Sequence, residues 1–438
     1  MFSKRFLSTS VAKAKITQLA NGLTVATKSV PSSTSTIGLY SAAGSRAENP
    51  YNSGVSTLLG SVLAKSAYSS SLASGVIVSS SNSKETTGVT FSFANGALSD
   101  ALSVFEKTLS TKAVESTFSD AELIKSEAEK AASFSESLEE KPIERVLEHL
   151  TSTAFQSTSL ALPTYGKAET VGTLEPMDLT SFFGKYFINS NLALVGTGDV
   201  DHEKLIEFAS KLTFASGVKP VTKPAKFLGS EVRLRDDTLP SAYVAIAAKG
   251  ESVLSPNYYV AKVAAKVNGS YSTASPFYKL QGGKLADLVS EYHLADTFSH
   301  FSTSYSDTGL WGFVTKSSNI DNLDDLIHFT LKDWGRLSTS ISEAEIERAK
   351  SALKVELLGT EVTPLEASDK LASDALVSGF EASAAEIVSR IDKVTTSDVT
   401  KWAQATLYDQ DIAVSGTGQI EALFDYNRIR NDMSMMRW

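Results

Sequence analysis

The sequence predicts an α+β protein built from two homologous halves, each a mostly antiparallel sheet with helices packed on one side. Three observations predict it: a repeat at long range, the grouping of strand and helix patterns within each half, and a stiff linker between the halves. The repeat is clearest around "LALVGTGDV", residues 192–200, and "IAVSGTGQI", residues 412–420. An offset of 220 positions lays Gly196, Thr197 and Gly198 on Gly416, Thr417 and Gly418, and Asp201 on Glu421. Upstream, Asp178, Leu179 and Thr180 fall on Asp398, Val399 and Thr400, and Phe182 falls on Trp402, with no gap from about 174 to 201. A duplicated block of helix, strand, turn and helix follows.

A Gly-x-Gly turn after a buried strand invites a phosphate. Here a dinucleotide fingerprint would need a third glycine where Asp201 stands, and no Gly-Lys-Ser/Thr follows. Two nearby aspartates would repel the anion. The turn is therefore expected to be architecture, once per half.

Between the halves, "SGVKPVTKPAKFLG" (216–229) carries Pro220 and Pro224 among lysines and has no hydrophobic period. It reads as a stiff charged linker. The expected organisation is a leader at 1–15, a first domain at 16–215, the linker, and a second domain at 230–438, each domain large enough for its own core.

Within the first half, "ITQLANGLTVATKSV" (16–30) reads as a hairpin about Asn21-Gly22. Strands are expected at 36–45 and 88–95. Val55, Leu58, Leu59, Val62 and Leu63 lie at helical spacing in 54–67. Further helices are expected at 96–111, 119–137, 142–156 and 178–188, and a strand at 191–196. In the second half strands are expected at 231–237 and 241–250, helices at 255–267 and 276–291, a hairpin over 296–316, and helices at 320–336, 342–358 and on to about 390. Such grouping gives an antiparallel sheet under a helical layer.

Composition excludes several functions. The formal net charge is −9 and the body of the chain has no long basic run, so nucleic acid is a poor partner. The absence of cysteine removes disulfides, iron–sulfur clusters, thiolate zinc and cysteine nucleophiles. No apolar run reaches the roughly 18 residues of a membrane span. The first residues differ: "MFSKRFLSTSVAKAK" is basic and serine-rich, and the first acid in the chain is Glu48. That is the pattern of a mitochondrial transit peptide.

The "LANGLTVAT" hairpin, the next strand, the helix opening Asn-x-Gly and the two α/β halves together resemble the pitrilysin-type metallopeptidase family, over nearly the whole chain. Mitochondrial processing peptidase and the core proteins of the cytochrome bc1 complex belong to that family. The resemblance implies that the two halves close as a two-lobed clam. In active members the first helix carries His-x-x-Glu-His, whose histidines bind zinc while the glutamate acts as general base. Set on that pattern, "NSGVSTLLGS" (52–61) places Thr57, Gly60 and Ser61 at the three positions, and Phe134 falls near the distal glutamate ligand. The five histidines, His149, His202, His293, His300 and His328, include no pair three or four apart. "RVLEH" (145–149) is the nearest approach, with Arg145 at the first histidine position. The serines give no triad signal. Catalytic, cofactor and metal residues are expected to be absent.

Three stretches narrow the resemblance to the core-protein branch. "VLEHLTSTAFQSTSLALPTYG" (146–166) is similar to processing-peptidase β subunits and bc1 core proteins, as is the "HFSTSYSDTGLWGF" hairpin (300–313). The basic, methionine-rich end "DYNRIRNDMSMMRW" (425–438) resembles the core proteins most specifically. "NGSYSTASPFYKL" (268–280) has one glycine where the substrate-gripping peptidase subunit has a glycine-rich loop. The resemblance implies a structural subunit of ubiquinol–cytochrome c reductase, peripheral on the matrix side of the inner membrane. Its implied partners are a second core protein, cytochrome b, cytochrome c1 and the iron–sulfur protein, and it carries no cofactor of its own. The alternative is a non-catalytic processing-peptidase subunit. The tail, with Arg428, Arg430 and Arg437 beside Met433, Met435, Met436 and Trp438, is expected to dock on a neighbour and to be dispensable for folding of the isolated chain.

Overall fold

The computed structural model describes residues 13–275, 283–359 and 363–434. The first half runs β1 (Lys15–Gln18), β2 (Thr24–Lys28), β3 (Thr34–Ser41), α1 (Val55–Ser66), α2 (Tyr68–Ser74), β4 (Ile77–Asn82), β5 (Thr87–Ala94), α3 (Leu98–Leu109), α4 (Thr111–Phe118), α5 (Ala121–Glu139), α6 (Pro142–Ala154), α7 (Ala168–Val171), α8 (Pro176–Tyr186), β6 (Leu192–Thr197) and α9 (His202–Lys211). The second runs β7 (Ser230–Arg235), β8 (Ala242–Gly250), α10 (Tyr258–Asn268), β9 (Ser270–Ser272), α11 (Lys284–Tyr292), β10 (Thr297–Ser304), β11 (Gly309–Ser317), α12 (Leu323–Thr339), α13 (Glu343–Gly359), α14 (Pro364–Val377), α15 (Ala384–Asp392), α16 (Thr396–Thr406), β12 (Ile412–Gly418) and α17 (Tyr426–Asp432). Residues 216–229 contain no helix or strand. Part of the helix expected at 276–291 and of the 268–280 stretch lies outside the described residues, as do residues 1–12 of the leader and 435–438 of the tail.

Two six-stranded sheets result, ordered β1-β2-β6-β3-β5-β4 and β7-β12-β8-β11-β10-β9. Each is antiparallel except for one pair, β2 with β6 and β7 with β12. The repeated strand, third in the first sheet and second in the other, is flanked by β2 and β3 in one and by β7 and β8 in the other. The halves thus share a topology. β1 is an addition to the first sheet and β9 to the second.

The Gly-x-Gly turns are equivalent. Gly198 has φ +96° and Gly418 φ +87°, the left-handed region that glycine enters without penalty. A Cβ at Gly198 would lie 2.9 Å from the Ser35 Cα, and one at Gly418 would lie 2.2 Å from the Ser241 carbonyl oxygen. The Asp199 N–H is donated to Ser35 Oγ at 2.9 Å. The first turn thus spends that group on its own sheet. After Gly198 the chain enters α9, capped by Asp201, whose carboxylate accepts from the Glu203 N–H at 3.1 Å. After Gly418 it makes turns that bury Ile420 and Leu423, and the next helix begins at Tyr426.

Each sheet carries its own half's helices on one face. Leu23, Ile37, Phe91, Leu58 and Phe105 belong to one such core, and Ile246, Phe313, Trp311, Trp334 and Val414 to the other. On the opposite face each sheet receives a helix from the other half. α6 lays Val146, Leu150 and Ala154 on Tyr243, Ala245, Ala247 and Ala413 of the second sheet. α14 lays Leu371, Ala372 and Ala375 on Ala26, Tyr40, Ala193 and Val195 of the first. Both helices open on a proline at their first position, Pro142 and Pro364, a residue whose missing N–H costs nothing there. The exchange is reciprocal down to single hydroxyls. Thr197 Oγ1 donates to the Pro364 carbonyl at 2.6 Å, and its repeat counterpart Thr417 Oγ1 accepts from Arg145 Nη2 at 2.7 Å.

The tail corrects an expectation. α17 buries Ile429, and Met433 just beyond it is also fully buried; both belong to the core of the second half. Arg430 pairs with Asp409 and Asp411 of the same half, each at 3.0 Å. Burial of roughly 1.5–3 kcal/mol per large apolar side chain outweighs what a free end would gain. Deletion of residues 427–438 is expected to destabilise the isolated chain by about 2–5 kcal/mol, the range for emptying a core position. Thermal unfolding of the truncated chain measures it; an unchanged midpoint would return the tail to a dispensable role.

Candidate functional site

The site to be tested is the start of α1. The chain turns into this helix at Gly54, φ +95°, where a Cβ would come within 2.2 Å of Val171 Cγ2. Gly166, φ +77°, packs against it so closely that a Cβ there would lie 2.4 Å from the Gly54 Cα. Glu48 caps the helix: its carboxylate accepts from the Gly54 N–H at 2.7 Å, the Ser56 N–H at 2.8 Å and the Ser56 hydroxyl at 2.6 Å. Burial pushes the Glu48 carboxyl up to about 7, against the pull of those three bonds.

Thr57, Gly60 and Ser61 lie on α1 as the spacing requires. Thr57 Oγ1 accepts from Asn82 Nδ2 at 2.5 Å and donates to the Thr164 carbonyl at 3.4 Å. Asn82 also reaches that carbonyl, at 2.8 Å. A Cβ on Gly60 would stand 2.9 Å from the Ser80 Cβ, so α1 lies closer to β4 than any side chain at 60 would permit. Phe134 projects from α5 and meets Tyr165 edge-on, ring centroids 5.2 Å apart. Its neighbour Ser135 donates to the Gly166 carbonyl at 2.8 Å. Thr57 and Phe134 thus both meet the 164–166 segment through a hydrogen bond and an aromatic pair, and the Thr164 hydroxyl also donates to Glu148, at 2.8 Å, which pairs with Lys84.

None of the five histidines stands there. His202 lies between Thr17 and Thr27, with ring nitrogens 3.0 and 2.8 Å from their hydroxyls. His149 faces Glu139 at 3.6 Å and His328 faces Asp432 at 3.2 Å. His293 ends α11 at φ +50°. His300 is fully enclosed by Phe298, Phe313, Trp311 and Trp334. Among the described residues no three His, Cys, Asp or Glu side chains are grouped so as to hold a metal, and no helix is long and apolar enough to cross a membrane.

The charged chemistry lies instead where the halves meet. Arg46, 5% exposed, donates to Glu85 at 2.7 Å and to Asp307 of the β10–β11 turn at 2.6 Å. Asp307 also accepts from the Ala225 N–H at 2.7 Å, tying in the linker. Lys28 and Glu381, both almost wholly buried, pair at 2.5 Å. Tyr40 donates to Asp369 at 2.7 Å, and burial, reinforced by that carboxylate, holds its phenol well above the ordinary value. Sequence reading missed these residues. The pairs that cross between the halves, Arg46–Asp307, Lys28–Glu381 and Tyr40–Asp369, join residues more than 250 positions apart, and no local pattern marks them.

Against this geometry stand the likenesses to known proteins. The profile "Insulinase (Peptidase family M16)" matches residues 24–168, and "Peptidase M16 inactive domain" matches 173–353. The chain belongs to the M16 peptidase family. Its M16 relatives include the Saccharomyces cerevisiae protein "Cytochrome b-c1 complex subunit 1, mitochondrial", 46% identical over 99% of this chain and 97% of that one. The Neurospora crassa "Mitochondrial-processing peptidase subunit beta" is 35% identical over 96% of this chain and 91% of that one. Among solved structures, a chain of "Complex III2 from Candida albicans, Inz-5 bound" matches with a TM-score of 0.90 and 40% identity, over 96% of this chain and 99% of that one.

Histidine burial sets a pH dependence for this M16 chain. His300 Nδ1–H donates to the Gly269 carbonyl at 3.0 Å, and Nε2 accepts from Trp334 Nε1–H at 3.0 Å. A second ring proton would point at the indole N–H. Burial lowers the imidazole from 6.5 to about 4. The unfolded chain therefore binds the proton first, and this contribution to stability is complete above about 6.5 and is lost as pH falls towards 4. Denaturant titrations from pH 4 to 7 should show it, and His300→Phe should flatten the slope in that window. An unaltered slope would exclude His300 as its source.

Proposed function

We propose that the chain is core protein 1 of ubiquinol–cytochrome c reductase, a non-catalytic structural subunit peripheral to the matrix face of the mitochondrial inner membrane. The observation that carries this reading is likeness over full length: 46% identity to the Saccharomyces subunit and a TM-score of 0.90 to a chain of the Candida complex. Its partners are then core protein 2, cytochrome b, cytochrome c1 and the iron–sulfur protein, and its part is to support their assembly. The processing-peptidase reading has weaker support, since the β subunit is similar at 35%.

In this reading the peptidase chemistry has been replaced rather than concealed. Hydroxyl, hydrogen and hydroxyl stand at Thr57, Gly60 and Ser61, and a phenyl ring at Phe134. A zinc site needs imidazole or carboxylate donors, and a general base needs a group that takes a proton. The packing of Gly60 on Ser80 also leaves a glutamate no room without a shift of β4.

We take residues 13–215 and 230–438 as the two peptidase-like domains and 216–229 as the linker. The leader expected at 1–15 is drawn back to residues 1–12, and the first domain correspondingly begins at Lys13. Lys13 faces Glu386 at 3.5 Å, Ala14 packs beside α14, and Lys15 opens β1.

Two measurements test the function. The chain purified from mitochondria should come with cytochromes b and c1 in equal amount, and its isolation without them would defeat the assembly reading. The purified chain should also hold no stoichiometric zinc by metal analysis and cleave no presequence peptide. One tightly bound zinc with ligands near α1 would overturn the non-catalytic reading.

A further inference from the structure

An open cleft of about 830 Å³ lies between the start of α10, the end of α14, α15 and α16. Tyr258, Tyr259, Val394 and Trp402 line it. At its mouth Leu254 and Phe380 are 58% and 50% exposed, and the Arg390 guanidinium lies over the Phe380 ring at 5.9 Å. The same walls carry Lys370, Arg390, Lys393 and Lys401 against the carboxylates of Asp374 and Asp398. Asp398 is already engaged, since it accepts from the Thr395 N–H at 2.9 Å and the Thr395 hydroxyl at 2.7 Å. Lys393 and Lys401 are exposed and make no direct ion pair among the described residues, although Lys401 acts electrostatically on Asp398 three residues before it on α16. The chain as a whole has a formal net charge of −9, so this cleft is a local reversal of sign.

We propose that the cleft docks an acidic segment of a neighbouring subunit. One large apolar side chain of that segment fills the space against Tyr258 and Trp402, while its carboxylates pair with Lys393 and Lys401. Apolar floor and charged rim are the usual division of labour at an interface, with the anchor supplying affinity and the charges orientation. The chain's own first residues are the nearest other candidate, because Lys13 meets Glu386 on α15. Lys4 and Arg5 give that segment the wrong sign. The proposal rests on the assembly reading above and adds to it the place and chemistry of one contact.

The test is photocrosslinking in the purified complex, with Phe380→p-benzoylphenylalanine in the full chain. The expected product joins position 380 to a peptide of another subunit that is net negative and contains a large apolar residue. Charge reversal at the rim, Lys393→Glu with Lys401→Glu, should lower the yield about tenfold while leaving the thermal midpoint of the isolated chain unchanged. Crosslinks confined to residues 1–12, to a basic segment, or insensitive to charge reversal would overturn the proposal, as would no crosslink at all. If the unaltered chain fails to co-purify with cytochromes b and c1, the assembly reading falls as well. If it co-purifies but does not crosslink, only the cleft proposal falls.

Discussion

The exchange of α6 and α14 between the halves is the constraint on which the rest depends. A sheet with one face buried and one bare would expose Ala26, Tyr40, Ala193 and Val195 in the first half and Tyr243, Ala245, Ala247 and Ala413 in the second. Each half solves this with a helix taken from its counterpart. Neither half is then complete alone, and the buried pairs Lys28–Glu381 and Tyr40–Asp369 sit on that exchange. A buried ion pair contributes little net stability, yet removing one partner costs about 3–5 kcal/mol. Such pairs penalise wrong relative placements of the halves more than they strengthen the right one.

In the reading proposed above, the beginning of α1 carries no catalytic chemistry. Its Glu48 cap, the Gly54–Gly166 contact and the Asn82–Thr57 bond fix the start of the helix. What differs is the chemistry of the side chains on it. In the non-catalytic reading proposed above, the frame is retained while the side chains on it differ, since a fold does not by itself carry a function.

Much of the fold was legible because the signals were local. The Gly-x-Gly turns, the periodic apolar residues of α1 and the 300–313 hairpin each carry their structure within a few residues. β4 was not legible: "IVSSSN" is nearly all serine beyond Ile77 and Val78, and an edge strand only part-buried on both faces has no alternation to show. The tail from α17 onward was expected to dock on a neighbour because its arginines and methionines read as an interface, yet Ile429 and Met433, four apart, lie on one face and pack into their own half's core. At the candidate site, the positions of Thr57, Gly60 and Ser61 could be read by resemblance. The contact of Gly60 with Ser80, and the Arg46 network across the halves, depend on tertiary approach and leave no mark in the chain.

The helix exchange also bears on how the molecule is made. A chain that emerges or is threaded amino-terminus first completes β6 near residue 197, but the helix that covers the bare face of that sheet begins at Pro364. At about 5–20 residues per second, the interval is on the order of ten to forty seconds. For that time the first half is a finished sheet with an apolar face and nothing of its own to put there. The length of that exposure is therefore a consequence of topology, and shortening it would require a different chain order rather than a better core.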